Sequence, residues 1–142
     1  MRVQFTIPGE PKGKGRHRTA TRGAYAVQYS DQKTVIYENL TKMEFRRQCK
    51  AFRFPDGTEL DMRIYAYYGI PKSVSKKKRE LMLAGEIRPT KKPDWDNIGK
   101  IISDSLNQIG YRDDAEIVDG MVRKFYSDEP RVVVVVQEAR HD

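Results

Sequence analysis

The chain has 142 residues, a length that fits one compact domain with a real core. Its 27 lysines and arginines exceed its 20 acidic residues and give a formal net charge of +7. This excess favours a polyanionic partner, nucleic acid first, although a basic protein without such a partner is the plain alternative. A single cysteine, Cys49, and two histidines, His17 and His141, exclude an intrachain disulfide, a cysteine-cluster metal site and a histidine-rich zinc site.

The N-terminus lacks the apolar core of a signal peptide, and no stretch approaches the length of a membrane span. We therefore expect a cytoplasmic protein.

The first half of the chain predicts a strand, a loop and a helix. "VQFTIP" (3–8) alternates apolar and polar residues and predicts a strand. "GEPKGKGRHRTATRGAY" (9–25) is rich in glycine and basic residues without an apolar period, which is typical of a mobile basic loop. From Ser30, a predicted cap, the spacing of Ile36, Leu40 and Met43 indicates a helix of about four turns.

The second half alternates strands and helices. "ELDMRIYAYYGIP" predicts a strand, and "SVSKKKRELMLAGE" a short basic helix that stops at Gly85. "NIGKIISDSLNQIG" predicts a helix that starts at Asp96 and ends at Gly110, with one apolar face. "EIVDGMVRKFYS" and "RVVVVVQEAR" predict two strands, the valine run being covered on both faces. The pattern predicts a single α/β domain over residues 1–142, a mixed β-sheet packed against helices.

Two aspartates stand one residue apart in "PDWD". If this stretch is extended, Asp94 and Asp96 share a face, about 6 Å apart. Two carboxylates at that distance repel by about 3 kcal/mol at an effective dielectric near 20, and a divalent cation would remove this repulsion. Oxygen ligands without nitrogen or sulfur suit Mg²⁺, with Mn²⁺ as a second possibility. The alternative is that Asp96 caps a helix beginning at Asn97 and that Asp94 sits in a turn.

Lys100 and a second acidic pair follow on the next turns of the chain. Lys100 lies one helical turn after Asp96, where it can neutralise charge on a phosphate or form an ion pair with Asp96 or Asp104. Asp113 and Asp114 are adjacent, so in an extended chain only one enters the same site and the other caps the turn. Other acidic residues nearby are expected to be solvated: Asp104, Glu116 and Asp119.

The ordered set "KPDWDNIGKIISDSLNQIGYRDDAEIVDGMVRK" (92–124), with the opening "IPGEPKGKGRHR", resembles the RusA family of Holliday junction resolvases, endodeoxyribonucleases of phages and prophages. The resemblance implies that Asp94, Asp96 and Asp114 are metal-binding carboxylates and that Lys100 is the catalytic lysine. It also implies a homodimer whose two active sites cut opposed strands of a four-way DNA junction. The segment 71–93 adds a basic helix and loop and is similar to the phage-type branch.

The predicted function is Mg²⁺-dependent hydrolysis of branched DNA in recombination and repair, with phosphate contacts from two basic runs. Both runs are equally consistent with a solvated surface: Lys12, Lys14, Arg16, His17 and Arg18 in the first, and Lys76, Lys77, Lys78 and Arg79 in the second. Two other functions stay open. A non-enzymatic branched-DNA-binding protein would need only the basic runs, and a metal-dependent nucleotide phosphohydrolase would need a small enclosed pocket.

Overall fold

The computed structural model describes residues 1–15, 18–23, 25–29 and 31–142, with the backbone course alone for 18–22 and 25–29. In chain order, its helices and strands are β1 (Arg2–Pro8), β2 (Arg18–Arg22), β3 (Tyr25–Tyr29), α1 (Gln32–Cys49), β4 (Leu60–Gly69), α2 (Lys76–Leu83), α3 (Trp95–Ser105), a 3₁₀ turn (Asp114–Glu116), β5 (Ile117–Ser127) and β6 (Arg131–Glu138). None of the helices in these ranges is both long and apolar enough to cross a membrane.

Four strands form one mixed sheet in the order β1-β6-β4-β5. β6 is antiparallel to both β1 and β4, whereas β4 and β5 are parallel. A parallel pair needs a long crossover connection, and the segment that joins β4 to β5 carries α2 and α3. The predicted α/β domain with a mixed sheet is confirmed.

The core lies between the sheet and helices α1 and α3. β4 turns every second side chain toward it, from Leu60 to Tyr68, and all of these side chains are buried. Phe5 of β1 and Phe45 of α1 meet edge to face, with ring centroids 5.3 Å apart. The prediction for β4, based on strict alternation, is confirmed.

The valine run is an interior strand, as predicted, because β6 has a hydrogen-bonded neighbour on each side. Val132, Val134 and Val136 are buried on the helix side. On the other side Val135 is buried as well and Val133 is half-buried. We call the helix side of the sheet its inner face and the opposite side its outer face.

The predicted cap and buried face of α1 are wrong by one residue. The N-cap is Asp31, whose carboxylate accepts a hydrogen bond from the Lys33 N–H at 3.2 Å, and Ser30 lies outside the described residues. Ile36 and Met43 are 60% and 53% exposed, whereas Leu40 of the predicted face is half-buried against the core. The buried stripe lies one position further along and is partly polar, which hid it from a search for apolar spacing: Thr34, Tyr37, Thr41, Glu44 and Phe45.

The loop predicted over 9–25 is only partly a loop. β2 and β3 pair as an antiparallel hairpin, and Arg22 faces Tyr25 across a two-residue turn. Gly23 has a φ of +60° there, a conformation that glycine adopts without strain. The alternating threonines before this glycine were the available signal.

Helix α3 ends at Ser105 rather than at Gly110. Gln108 takes a φ of +66° in the turn that follows, so the backbone leaves the helix before the predicted stop. Gly110 serves close packing instead, since a Cβ there would lie 3.2 Å from Cζ of Phe45. Gly85, by contrast, does follow α2 with a φ of +79°, as predicted.

Candidate functional site

Both aspartates of "PDWD" lie at the N-terminus of α3. Asp94 is the N-cap residue, yet its side chain makes no capping hydrogen bond, and Asp96 is in the first turn. The prediction that the stretch is extended is therefore wrong beyond Asp94, and so is the alternative that Asp96 caps a helix starting at Asn97. In the described part of the chain neither carboxylate has a hydrogen bond or salt bridge. The positive end of the helix dipole is the favourable feature of their position.

Asp96 is shared by two neighbouring cavities. A cavity of about 350 Å³, here the inner cavity, lies between α3 and β5 and contains Asp96 and Asp114 in its wall. A second, of about 500 Å³ and here the outer cavity, is lined by Asp94, Asp96 and Lys124 with the loop that precedes α3. The structure thus brings the three predicted carboxylates to two adjoining cavities rather than to one.

The turn after α3 directs one aspartate into the inner cavity and uses the other as a cap. The Asp114 N–H donates to Asn107 Oδ1 at 2.8 Å, which fixes the backbone at that point. Asp113 accepts from the Ala115 N–H at 3.3 Å and forms a capping box with Glu116. One member of this pair, Asp113, caps the turn as predicted, and Asp114 lines the inner cavity. That Asp114 belongs to a metal site stays a prediction.

Asp114 lies next to a carboxylate that the sequence did not single out. Burial raises the pKa of Asp114, and the neighbouring carboxyls of Asp104 and Asp113 raise it further. Asp104 is not the solvated residue that was expected, because Lys14 holds it in a salt bridge of 3.3 Å. Glu116 is likewise largely buried in its capping box, whereas Asp119 is exposed as expected.

The Lys14 side chain is largely buried and paired with two carboxylates, so it is not an exposed cation available to a phosphate. Its Nζ is 2.8 Å from Glu38 Oε2 on α1 and 3.3 Å from Asp104 Oδ2 on α3. Burial acts to lower the pKa of Lys14, but the two ion pairs outweigh it and the pKa is raised. The Lys14 N–H also donates to the Asn97 carbonyl at 3.0 Å. We therefore replace its predicted phosphate contact with a structural role, that of tying the N-terminal segment to two helices.

Two lysines stand near the carboxylates in different ways. Lys100 is exposed on α3, one turn after Asp96, and among the described residues it has no salt bridge with Asp96 or Asp104. Lys124 lines the outer cavity, where its Nζ donates to the Lys91 carbonyl at 2.6 Å and lies 5.1 Å from the centre of the Tyr68 ring. Burial lowers the pKa of Lys124, with Asp94 acting in the opposite direction.

The position of Lys124 follows from the alternation of β5 in the sequence. In a β5 strand whose Val122 and Tyr126 pack against the core, Lys124 has the same parity and must turn to the same face. A charged residue on the inner face of a sheet needs a partner or a function.

A basic groove of about 820 Å³ opens beside Asp94. The N-terminal segment forms one wall and the loop before α3 the other, and four exposed lysines line it: Lys12, Lys33, Lys91 and Lys92. The Tyr68 hydroxyl donates to the Pro93 carbonyl at 2.6 Å and so anchors that loop to the end of β4.

The other predicted DNA contacts lie elsewhere. Arg16 and His17 are outside the described residues, and Arg18 is described only as part of the β2 backbone. Lys76, Lys77 and Lys78 are exposed on α2, and Arg79 pairs with Asp128. None of these α2 residues lines the two cavities or the basic groove.

The donor chemistry of the two cavities fits a hard divalent cation. Carboxylate oxygens are the donors that Mg²⁺ and Mn²⁺ prefer, and the described residues that line the cavities include no histidine or cysteine. Across the described ranges, however, no three carboxylate, imidazole or thiol side chains stand together as a ready-made metal cluster. The geometry offers two pairs with Asp96 in common: Asp94 with Asp96, and Asp96 with Asp114.

Comparison with known proteins gives the class to which this chain belongs. The family model described as endodeoxyribonuclease RusA matches residues 8–137, nearly the whole length. The chain is therefore a member of the RusA endodeoxyribonuclease family, as its motifs predicted. It is also 36% identical over 138 residues to the uncharacterized protein YqaN of Bacillus subtilis strain 168, and the alignment covers 96% of each chain.

Proposed function

We propose that the chain is a Mg²⁺-dependent, structure-specific endodeoxyribonuclease that resolves Holliday junctions and other branched DNA by paired phosphodiester hydrolysis. The proposal rests on the arrangement at the N-terminus of α3, in a chain that belongs to the RusA family. Two carboxylates stand there without a capping role, and a lysine-lined groove leads to the first of them. A purely structural role of these residues would explain neither the carboxylates without a capping role nor the lysine-lined groove.

Asp94, Asp96 and Asp114 would hold the metal, in pairs that share Asp96. When bound, a divalent cation activates water for attack on the phosphate and stabilises the charge that develops on the leaving oxygen. Lys100 would offset charge on the phosphate from the exposed side of α3, as the family resemblance implies. Lys124 would do so from the wall of the outer cavity, which it lines together with Asp94 and Asp96.

The shape of the site favours a polymer over a free nucleotide. The basic groove and the outer cavity adjoin one another along the loop before α3, and both contain Lys91, Lys92 and Asp94 in their walls. A run of exposed lysines along an open groove suits successive phosphates of a strand, whereas a nucleotide phosphohydrolase needs an enclosed pocket. A binding protein without activity would gain nothing from carboxylates at this point, because they repel DNA phosphates unless a cation is present.

Resolution of a four-way junction requires two incisions in opposed strands. We therefore propose that the protein acts as a homodimer with one site per subunit, and that it works in the cytoplasm. The expected products carry a 5′-phosphate and a 3′-hydroxyl.

The test is cleavage of a synthetic four-way junction and a matched linear duplex, each with Mg²⁺ and with chelator. We expect paired nicks near the junction centre only with metal. Asp96→Asn should lower the cleavage rate by at least about 100-fold while junction binding in chelator is kept. Asp119→Asn is the matched control, since it removes one exposed carboxylate of β5 that lines neither cavity. Wild-type cleavage by Asp94→Asn, Asp96→Asn and Asp114→Asn alike would refute the assignment.

A further inference from the structure

The outer face of the sheet carries a row of one basic and two aromatic side chains across three strands. Tyr67 of β4 pairs with Arg131 of β6 on one side and with Phe125 of β5 on the other. Side chains at paired positions stand on the same face, and here it is the face opposite to Tyr68 and the core. Arg123 lies two residues before Phe125 and so shares this face.

Guanidinium groups cover the rings of this row. The Tyr67 and Phe125 rings stack with centroids 5.7 Å apart and planes 25° apart. Arg131 lies over Tyr67 at 4.1 Å from its centroid, while Arg88 and Arg123 lie over Phe125 at 4.4 and 4.9 Å. We call these five residues the arginine row.

Backbone and hydroxyl acceptors, not carboxylates, hold two arginines of this row, Arg88 and Arg131, and Arg123 lies over the Phe125 ring. Arg88 Nε donates to the Lys124 carbonyl at 2.9 Å, and an Arg131 NH group donates to the Glu129 carbonyl at 2.8 Å. In the described part of the chain Arg88, Arg123 and Arg131 form no salt bridge, and the residues outside that description include no aspartate or glutamate. Three positive charges therefore stand together on one surface without a salt bridge among the described residues, and two of them are held by hydrogen bonds.

We propose that the arginine row binds the phosphodiester backbone of a DNA arm that extends beyond the cleavage site. Guanidinium groups match phosphate oxygens with paired N–H donors, and stacking on a ring holds them in a fixed plane. Because the guanidiniums already occupy the ring faces, the row suits phosphates and not stacked bases. The identity of the polyanion as DNA rests on the proposed function.

The row is continuous with the site. Lys124 lines the outer cavity from the inner face of β5, and its neighbour Phe125 stands in the row on the outer face. Arg88 bonds the Lys124 carbonyl and belongs to the segment that leads to Asp94. A strand that leaves the outer cavity around the edge of β5 therefore meets the row next.

A second copy of the chain is a poorer occupant of this surface. In a two-fold contact centred on the row, the three arginines of one copy would face those of the other. Like charges across an interface are strongly unfavourable without acids between them. Charge complementarity favours DNA.

The test measures DNA binding alone, in chelator, so that it does not depend on cleavage. The variant is Arg88→Gln with Arg123→Gln, and its control is Arg2→Gln with Arg46→Gln, which removes two exposed arginines from β1 and α1. Binding of a labelled duplex is followed by fluorescence anisotropy over a range of salt concentrations. We expect the slope of log K against log salt to fall by about 1.8 in the variant, at about 0.9 per phosphate contact, and to stay at the wild-type value in the control.

Two further variants distinguish a loss of phosphate contacts from misfolding of the double variant. Among the described residues the Arg123 side chain makes no hydrogen bond and lies over the Phe125 ring, so Arg123→Gln alone should lower the slope by about 0.9. Phe125→Leu keeps every charge but removes the ring under two guanidiniums, and it should weaken binding too. Equal slopes for variant and control would overturn the proposal, as would an unchanged slope with a loss of self-association in sedimentation. Failure of the wild-type protein to cleave junctions would count against the proposed function only.

Discussion

Replacing Lys14 with methionine removes a cation that joins the N-terminal segment to α1 and α3. Its ammonium lies 2.8 Å from Glu38 and 3.3 Å from Asp104, and the three side chains are only 14%, 16% and 25% exposed. Methionine keeps most of the volume of the lysine stem, so the change acts mainly on charge. Two poorly hydrated carboxylates are left without their partner.

The size of the loss follows from burial. Exposed ion pairs contribute about 0–1 kcal/mol, whereas removing one partner of a fully buried pair costs about 3–5 kcal/mol. This network is close to buried and leaves two charges behind, so we expect the free energy of unfolding to fall by about 2–3 kcal/mol. For a chain of this length that corresponds to a drop in Tm of about 5–10 °C.

Lys12→Met is the matched control because Lys12 lies two residues earlier and is exposed in the basic groove. Urea unfolding in chelator at low salt should show a change below about 0.5 kcal/mol for Lys12→Met. In duplex binding the order reverses: Lys12→Met should lower the salt slope by about 0.9, and Lys14→Met should leave it unchanged.

Unfolding of the two lysine variants at the same urea concentration would contradict the structural role of Lys14. A double-mutant cycle with Glu38→Gln gives a second criterion. Removing both partners leaves one fewer unpaired charge, so the double variant should be more stable than the sum of the single losses predicts. Strict additivity would mean that the 2.8 Å contact contributes no coupling energy.

Two other outcomes follow from the structure. Lys124→Gln should lower the rate of junction cleavage at saturation by about 100-fold with binding retained, and a wild-type rate would show that this cavity-lining lysine only supports the loop. On α1, Ile36→Ser should change the free energy of unfolding by less than about 0.5 kcal/mol, whereas Phe45→Ala should cost about 3–4 kcal/mol. The opposite order would restore the helix face predicted from apolar spacing.

Elements with a strong local pattern were predictable from the sequence. The alternation in β4 and the Gly85 stop of α2 are local features, and each element formed where the pattern indicated. The family motif also identified the two aspartates at the start of α3, whose side chains make no capping hydrogen bond. Local sequence patterns were sufficient to predict these elements because the packing of the core agrees with them, as in the buried alternate residues of β4.

Features that depend on tertiary contacts were not predictable in this way. Lys14 looked like any other lysine of a basic loop until α1 and α3 placed Glu38 and Asp104 beside it. The buried stripe of α1 contains two threonines and a glutamate, so apolar spacing pointed to the neighbouring stripe. Lys124 is an intermediate case, since strand parity alone assigns it to the inner face.

The alternation of β5 has a consequence for how this chain can vary. Lys124 lines the outer cavity with the carboxylates, while Arg123 and Phe125 face the opposite side, and among the described strands β5 is hydrogen-bonded to β4 alone. An insertion or deletion of one residue in this strand would exchange the two sides, placing an aromatic ring in the cavity and the lysine among the arginines. Changes of chain length in this region should therefore be confined to the turn that follows Ser127, where they leave both surfaces in register.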